Sequence, residues 1–520
     1  MAQSVSASSD AGPSVATILV RLRMAAIIAQ LVQNRCHEAT AAAFEALDVA
    51  LCCQLDCQMT DPIMLNRRRF IQSIAAAAAA PALTQSCAAA HRTTVGELRP
   101  DPDRILDLPD GFSYRVVSRV GDVMSDGLRV PGAHDGMAAF ESTDGRVILV
   151  CNHEMKTHWS DGSAFGDGYG DLPELTRSLL YDRGGDKTPA LGGTTTTVFD
   201  PATGSTDKQF LSLAGTEINC AGGPTPWGSW LSCEECFEDP GTRLQWAGLT
   251  TRDQKHGYVF EVSSRATGLT AATPIKAMGR FEHEACAVHA ETGIVYMTED
   301  RVHSLFYRYI PNTPGKLRKG GRLQALAIDG HTSVMTHNWS AVPQTPLNQP
   351  LTTHWIDLDD VDPVGNDLRL RGAAKGAATF ARGEGLCLAD DRFAFTCTIG
   401  GPARIGQVFT YTPSPDEGTA AERDEPGTLT LIAEADETSL LRNCDNLTMA
   451  PWGDLIVCED TSNHCGLVGM RPDGQQYAVA DNPYSDSELA GVCFSPDGKI
   501  LFVNIQYPGM TLAVTGPWPT

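Results

Sequence analysis

Six times along the chain a tight turn, ending in Gly in five copies, is followed by a short apolar strand, and most of those strands stop at an acid or an amide. The turns stand at Asp144-Gly145, Trp227-Gly228, Thr292-Gly293, Asp390-Asp391, Trp452-Gly453 and Asp497-Gly498. In three copies two acids occupy the sixth and seventh positions after the Gly: Glu234-Glu235, Glu299-Asp300 and Glu459-Asp460. A second polar set, Asp135, Cys220, Glu284, Glu384, Asp445 and Glu488, lies upstream of the turns. Strands joined by a tight turn are antiparallel, so the start of the first lies beside the end of the second. Each hairpin therefore carries two sets of ligand-type side chains to one edge, and a radial arrangement brings the edges together. The pattern predicts an all-β fold, a six-bladed β-propeller with inserted loops and a metal cluster at its axial mouth.

Spacing and composition agree with this. A plain four-stranded blade needs about 40–45 residues, and most of the intervals between these turns are longer, so most blades carry insertions. The longest fall near 155–195 and 310–375, where they can build the walls of a pocket. A strand around Thr511–Val514 is placed to close the ring against the first blade. The 49 Gly and 31 Pro suit a turn-rich β fold. With 40 Lys+Arg against 63 Asp+Glu the net charge is -23, which excludes a nucleic-acid polyanion as the main partner.

Acids at strand ends are common on solvated edges, and Gly turns with aliphatic runs are ordinary blade construction. Neither explains acid pairs recurring in register, each facing an upstream acid or thiol. So many carboxylates around one axis repel one another without cations, and Ca²⁺, with six to eight oxygen ligands, is a natural neutraliser. Cys220 stands in a polar, Gly-rich hairpin entry, where a thiolate suits a softer metal.

Targeting signals precede this region. Asn66-Arg67-Arg68-Arg69-Phe70-Ile71, an Ala-rich run too short to span a bilayer and a small-residue end make residues 64–90 a helical twin-arginine signal. The expected destination is the periplasm or the exterior, with the export machinery as partner and no stable transmembrane span after cleavage. Cys87 is positioned for lipid, but Thr84-Gln85-Ser86 lacks the expected Leu. An export signal does not normally follow sixty residues, so 1–63 reads as an extension from a mis-assigned start, with a real helical extension as the rival. Residues 91–520 form the propeller domain. Eleven cysteines follow the signal, an odd number that leaves at least one thiol unpaired. Cys233-Glu234-Glu235-Cys236 resembles a zinc half-site without its second half.

Longer motifs then become recognisable. His134-Asp135-Gly136-Met137, Asn152-His153-Glu154, Asn219-Cys220-Ala221-Gly222-Gly223, Cys233-Glu234-Glu235, Gly279-Arg280-Phe281-Glu282-His283-Glu284, Tyr296-Met297-Thr298-Glu299-Asp300, Arg382-Gly383-Glu384-Gly385 and Asp445-Asn446-Leu447 resemble the PhoX-type alkaline phosphatases. The resemblance runs from about residue 105 to the C-terminus. It implies a monomeric six-bladed propeller that hydrolyses phosphate esters at an axial site holding iron and calcium. Carried over by motif, Cys220, Glu284 and Glu384 bind iron and Arg382 contacts the phosphate. Glu234, Glu235, Glu299 and Asp300 fall in matching metal-binding motifs, with Asp135 and Glu154 as further metal candidates and Asn219 as a second catalytic candidate. Two rival readings use the same propeller mouth: a calcium-dependent lactonase-like hydrolase, and a non-catalytic calcium-binding envelope propeller. Neither needs a thiolate, so Cys220 discriminates.

Overall fold

In the computed structural model, the described residues are 96–157, 162–185, 188–241, 252–340 and 344–519. The extension 1–63 and the signal 64–90 lie outside them.

The apolar runs after the turns are the second strands of antiparallel meanders, and there are six meanders among the described residues. Blade 1 comprises His134–Glu141, Val147–His153, Gly192–Asp200 and Ser205–Thr216. Blade 2 has three strands, Asn219–Pro224, Ser229–Glu234 and Val259–Ser263. Blade 3 runs from His283–Val288 through Val295–Glu299 and Tyr307–Pro311 to Gly321–Ile328. Blade 4 runs from Gly383–Ala389 through Arg392–Cys397 and Gln407–Thr412 to Thr428–Glu434. A strand from the intervening insertion, Leu351–Asp357, pairs with the outer strands of both and joins blades 3 and 4 into one nine-stranded sheet. Blade 5 spans Cys444–Met449 to Gln476–Asp481. Blade 6 consists of Leu489–Phe494, Ile500–Ile505 and Met510–Thr515, with Ser113–Arg119 as its outer strand.

Ring closure thus differs in detail from the expectation. The C-terminal strand does not reach across to blade 1. The N-terminal strand Ser113–Arg119 instead completes blade 6 beside Met510–Thr515, which ties the two ends of the domain together in one sheet.

At the tight turns Gly145, Gly228, Gly293, Gly453 and Gly498 all have positive φ, which explains the Gly in five copies. In blade 4 the two residues between Ala389 and Arg392 make the turn, and Asp390 takes the left-handed conformation with φ 57°.

The first strands line the axis and pack on one another in ring order. A Cβ on Gly136 would lie 2.5 Å from Ala221 Cα, one on Gly385 2.6 Å from Asp445 O, and one on Gly491 2.2 Å from Asp135 O. Hydrogen bonds fasten neighbouring blades at the same level. Asn152 Nδ2 donates to the Cys220 carbonyl at 3.1 Å, Thr298 Oγ1 to Glu384 at 2.5 Å, Thr396 Oγ1 to Asp445 at 2.7 Å and Asn504 Nδ2 to Asp135 at 2.5 Å. Between the blades the core is aliphatic and aromatic, with Phe306, Phe395, Phe409 and Tyr411 all buried where blades 3 and 4 meet.

Gly491 combines φ of 62° with this close approach. Gly491→Ala is expected to destabilise the domain by ~2 kcal/mol or more, measured as a shifted denaturant midpoint with an unchanged slope.

Candidate functional site

One register repeats in all six blades. The first residue of the inner strand pairs with the last of the second strand: His134 with His153, Asn219 with Glu234, His283 with Glu299, Gly383 with Cys397, Cys444 with Glu459 and Leu489 with Ile505. Immediately afterwards the register shifts through a β-bulge in blades 1 to 5, whereas in blade 6 Ala490 still pairs with Asn504 and the shift comes after it. A bulge re-aims the residue within it. That residue is Asp135, Cys220, Glu284, Glu384 and Asp445 in blades 1 to 5, and Ala490 stands at the matching position of blade 6. Just beyond the second strand stand Glu154, Glu235, Asp300, Thr398, Asp460 and Gln506.

The two sets converge. Ligand atoms of Cys220, Glu235 and Glu284 lie within 4.8 Å of one another, as do those of Glu284, Glu384 and Asp445, of Asp445, Asp460 and Glu488, and of Asp135, Glu154 and Glu488. Glu284, Asp445 and Glu488 each belong to two trios, so the groups form a continuous chain. Glu488 enters from the loop two residues ahead of Ala490, and Arg382 holds the equivalent place before blade 4. With φ of 58°, Arg382 turns its guanidinium back over the acids. Its Nε and Nη2 donate to Asp300 Oδ1 and Oδ2 at 2.7 and 2.5 Å, and Nη2 lies 2.9 Å from Glu384 Oε1. The Arg382 side chain keeps 32% of its surface exposed, enough to meet a ligand. Lys156 Nζ lies 3.0 Å from Glu154, and Gln506 Nε2 donates to both Asp135 and Glu154.

Burial and mutual repulsion dominate the electrostatics. Burial, then Glu154, raises Asp135 well above the carboxylate range, and burial, then Asp300, does the same for Glu235. Glu284, Glu384 and Glu488 are raised well above it by burial and their acidic neighbours. Burial and Asp460 lift Asp445 to about 7. The Cys220 thiol is pushed far up by burial and by Glu284. In the protein alone, burial and mutual repulsion thus favour the protonated forms. Multivalent cations would let them ionise. The donor set fits such ions: a thiol among carboxylates on the blade 2–3 side suits iron, and the oxygen-only trios elsewhere suit calcium.

The family model described as alkaline phosphatase PhoX matches residues 93–509. The chain belongs to the PhoX alkaline phosphatase family. Membership makes it a phosphoric ester hydrolase. Among solved structures it is similar to Pseudomonas fluorescens PhoX in complex with vanadate, a transition state analogue, at 18% identity and a TM-score of 0.59, covering 79% of this chain and 96% of that one. It also matches a gluconolactonase from Xanthomonas campestris at 12% identity and a TM-score of 0.33, covering 82% of this chain and 99% of that one. No match was found among curated protein sequences. The PhoX likeness shows the propeller fold.

At the axis the structure gathers Asp135, Glu154, Cys220, Glu235, Glu284, Asp300, Arg382 and Glu384. It does not bring Glu234, Glu299 or Asn219 to them. The reason is the alternation of side chains at a strand end: the seventh residue after the turn faces the axis, so the sixth faces into the blade. Glu299 accepts from the Tyr307 hydroxyl at 2.7 Å, with burial raising it to about 7. Glu234 accepts four donors inside blade 2 and its insertion. Asn219 accepts from Thr216 and donates to Ser232, which uses its amide within the blade. His134, His153 and His283 are buried, bonded to backbone carbonyls and depressed by burial, which fits structural roles. The described cysteines, eleven in number, are all free thiols.

Sequence reading left Asp445, Asp460 and Glu488 in the repeat pattern without assigning them to the site, although the repeat gives Asp460 the same position in blade 5 that Asp300 has in blade 3. Lys156 and Gln506 carried no separate signal.

Carboxylates raised in the folded state bind protons more tightly than in the unfolded chain. Their stabilisation is complete below the unfolded value of about 4 and is lost as pH rises through the folded values, Asp445 at about 7 among them. The melting temperature of chelated protein is therefore expected to fall between pH 5 and 8, and calcium to abolish the fall. Parallel melts with chelator and with calcium check this.

Proposed function

We propose that this PhoX-family protein hydrolyses phosphate esters at its axial mouth, with iron held by Cys220, Glu284 and Glu384 and calcium by acids of the remaining trios. The observation that carries the proposal is the ring of buried carboxylates and one thiol around the axis, with the Arg382 guanidinium held over it by Asp300 and Glu384. Bound cations supply charge neutralisation and Lewis acidity toward phosphate oxygens.

The protein's own groups account for recognition. Phosphoryl transfer needs positioning and charge stabilisation more than covalent help. Asp300 takes two guanidinium nitrogens of Arg382, fixing its plane, and with Nη2 also held by Glu384 the two Nη1 hydrogens of the partly exposed group are left for phosphate oxygens. Lys156, beside Glu154 and within the field of Glu235 and Glu488, adds a second positive charge near the acids. Substrates of this class are small phosphate esters. The protein acts after twin-arginine export to the periplasm or beyond, a reading supported by Arg67-Arg68-Arg69-Phe70 and the Ala-rich run that follows. Among the described residues no helix is long and apolar enough to cross a membrane.

The test is metal analysis of purified protein together with hydrolysis of p-nitrophenyl phosphate, with and without chelator. Bound iron and calcium with chelator-sensitive hydrolysis are expected, and a fully metallated protein without phosphatase activity overturns the proposal. Arg382→Lys should lower kcat/KM by about 10²–10³ while leaving metal content intact, because a point charge cannot reproduce the planar fork. Replacing Arg67 and Arg68 by Lys should retain the protein in the cytoplasm, read by cell fractionation.

A further inference from the structure

Glu234 cannot meet the axis, yet it is fully buried and fully engaged. Its Oε1 accepts from His256 Nδ1 at 2.7 Å and from the Glu217 amide at 3.1 Å, and its Oε2 accepts from the Gly257 and Tyr258 amides at 2.9 and 3.2 Å. On the far side of the imidazole, His256 Nε2 donates to Asp182 Oδ2 at 3.0 Å. Asp182 in turn takes the amides of Gly184, Asp253 and Gln254 at 2.7, 2.8 and 2.9 Å. The side chains of Asp182, His256 and Glu234 are all 0% exposed.

Glu234, Cys236 and His256 have the spacing of a metal trio. The hydrogen bonds argue against that use. A carboxylate offers about four acceptor sites, and protein donors fill those of Glu234. Each ring nitrogen of His256 faces a carboxylate, so the imidazole donates from both and keeps no lone pair for a metal. Burial alone would depress His256, but the charge of Glu234 and bonds to both acids hold it at about 10.

What the trio does touch is the backbone that carries axial groups. Glu234 directly precedes Glu235. The Glu217 amide that it binds lies three residues before Cys220, in the segment where Ile218 adopts φ of 50° and its carbonyl takes the Glu235 amide at 2.9 Å. The Glu217 carboxylate continues the chain, accepting from the Thr157 amide and hydroxyl at 3.0 and 2.9 Å and from Arg252 Nη2 at 2.8 Å. Thr157 follows Lys156 and stands three residues after Glu154.

We infer that Asp182, His256 and Glu234 form a positioning brace for the axial site, built from the segments that follow the second strands of blades 1 and 2, which fixes the spacing of Cys220 and Glu235 and, through Glu217, of the Glu154–Lys156 turn. The inference rests on reading the axis as the phosphatase site. Outer partners that orient metal ligands commonly change affinity or activity by about 10–100-fold when removed.

The test uses full-length protein carrying His256→Gln, with Asp182→Asn as a milder second variant and Arg308→Met as a control that breaks a buried ion pair on the third strand of blade 3. Two readouts are taken below the melting temperature. The first is hydrogen exchange of the metal-free protein across 215–222 and 233–238, which should speed up at least severalfold in both brace variants and stay at the parental rate in the control. The second is iron and calcium affinity by competition with a chelator, expected to drop about tenfold or more, with kcat recovering at saturating metal and KM little changed. Unchanged exchange overturns the brace, and so does faster exchange with parental cation affinity. A parent protein that binds neither cation overturns the phosphatase reading instead, and exchange alone then decides the brace.

Discussion

The fold depends on a hydrogen bond made between blades at the level of the site. The residue just before the end of a second strand reaches sideways to the next blade and takes the carbonyl of its axis-facing residue: Asn152 to Cys220, Thr298 to Glu384, Thr396 to Asp445, Asn504 to Asp135. A buried carbonyl freed by a bulge must find a donor elsewhere. The bulge that aims a ligand at the axis also frees the backbone group that locks the blades together. Ring geometry and ligand geometry are therefore set by the same contacts, and Gly at positions such as 136, 385 and 491 allows the close approach.

This coupling explains how so much like charge is tolerated. Each acidic group alone would be driven out toward water or would hold its proton. Here the backbones that carry them are fixed by sheet pairing, inter-blade bonds and, around blade 2, a buried ionic network reaching into two insertions. The energy of sheet and core formation holds the acids together in advance of any cation, the usual economy of a preorganised site. Arg382 belongs to the same logic. Its ion pairs with Asp300 and Glu384 orient it and offset repulsion, and its partial exposure leaves one side of the guanidinium open to a phosphate.

Much of this was legible in the chain. The turn-strand repeat gave the blades, and the family motifs gave Cys220, Glu284, Arg382 and Glu384. What misled was treating each acid pair as a unit. Glu234 and Glu235 are neighbours in sequence, but a strand end sends them to opposite sides, and only the pairing of Asn219 with Glu234 shows which is which. The same holds for Glu299 against Asp300. Asp445, Asp460 and Glu488 were visible as members of a pattern, yet nothing local distinguishes an axial acid from a solvated one. Gln506 and Lys156 are ordinary polar residues until the ring closes and sets them beside Asp135 and Glu154.

The sequence by itself determined the repeat, the fold class and the chemical character of the axis, because turn residues, alternation and acid spacing are local properties of the chain. Only the tertiary structure decided which member of each pair faces inward, that Ser113–Arg119 closes the last blade, and that Glu234 braces the site from behind. Those outcomes turn on strand register and on contacts between residues far apart in the chain. A shift of one residue exchanges the two faces of a strand, and no local pattern records which side the neighbouring blade will occupy.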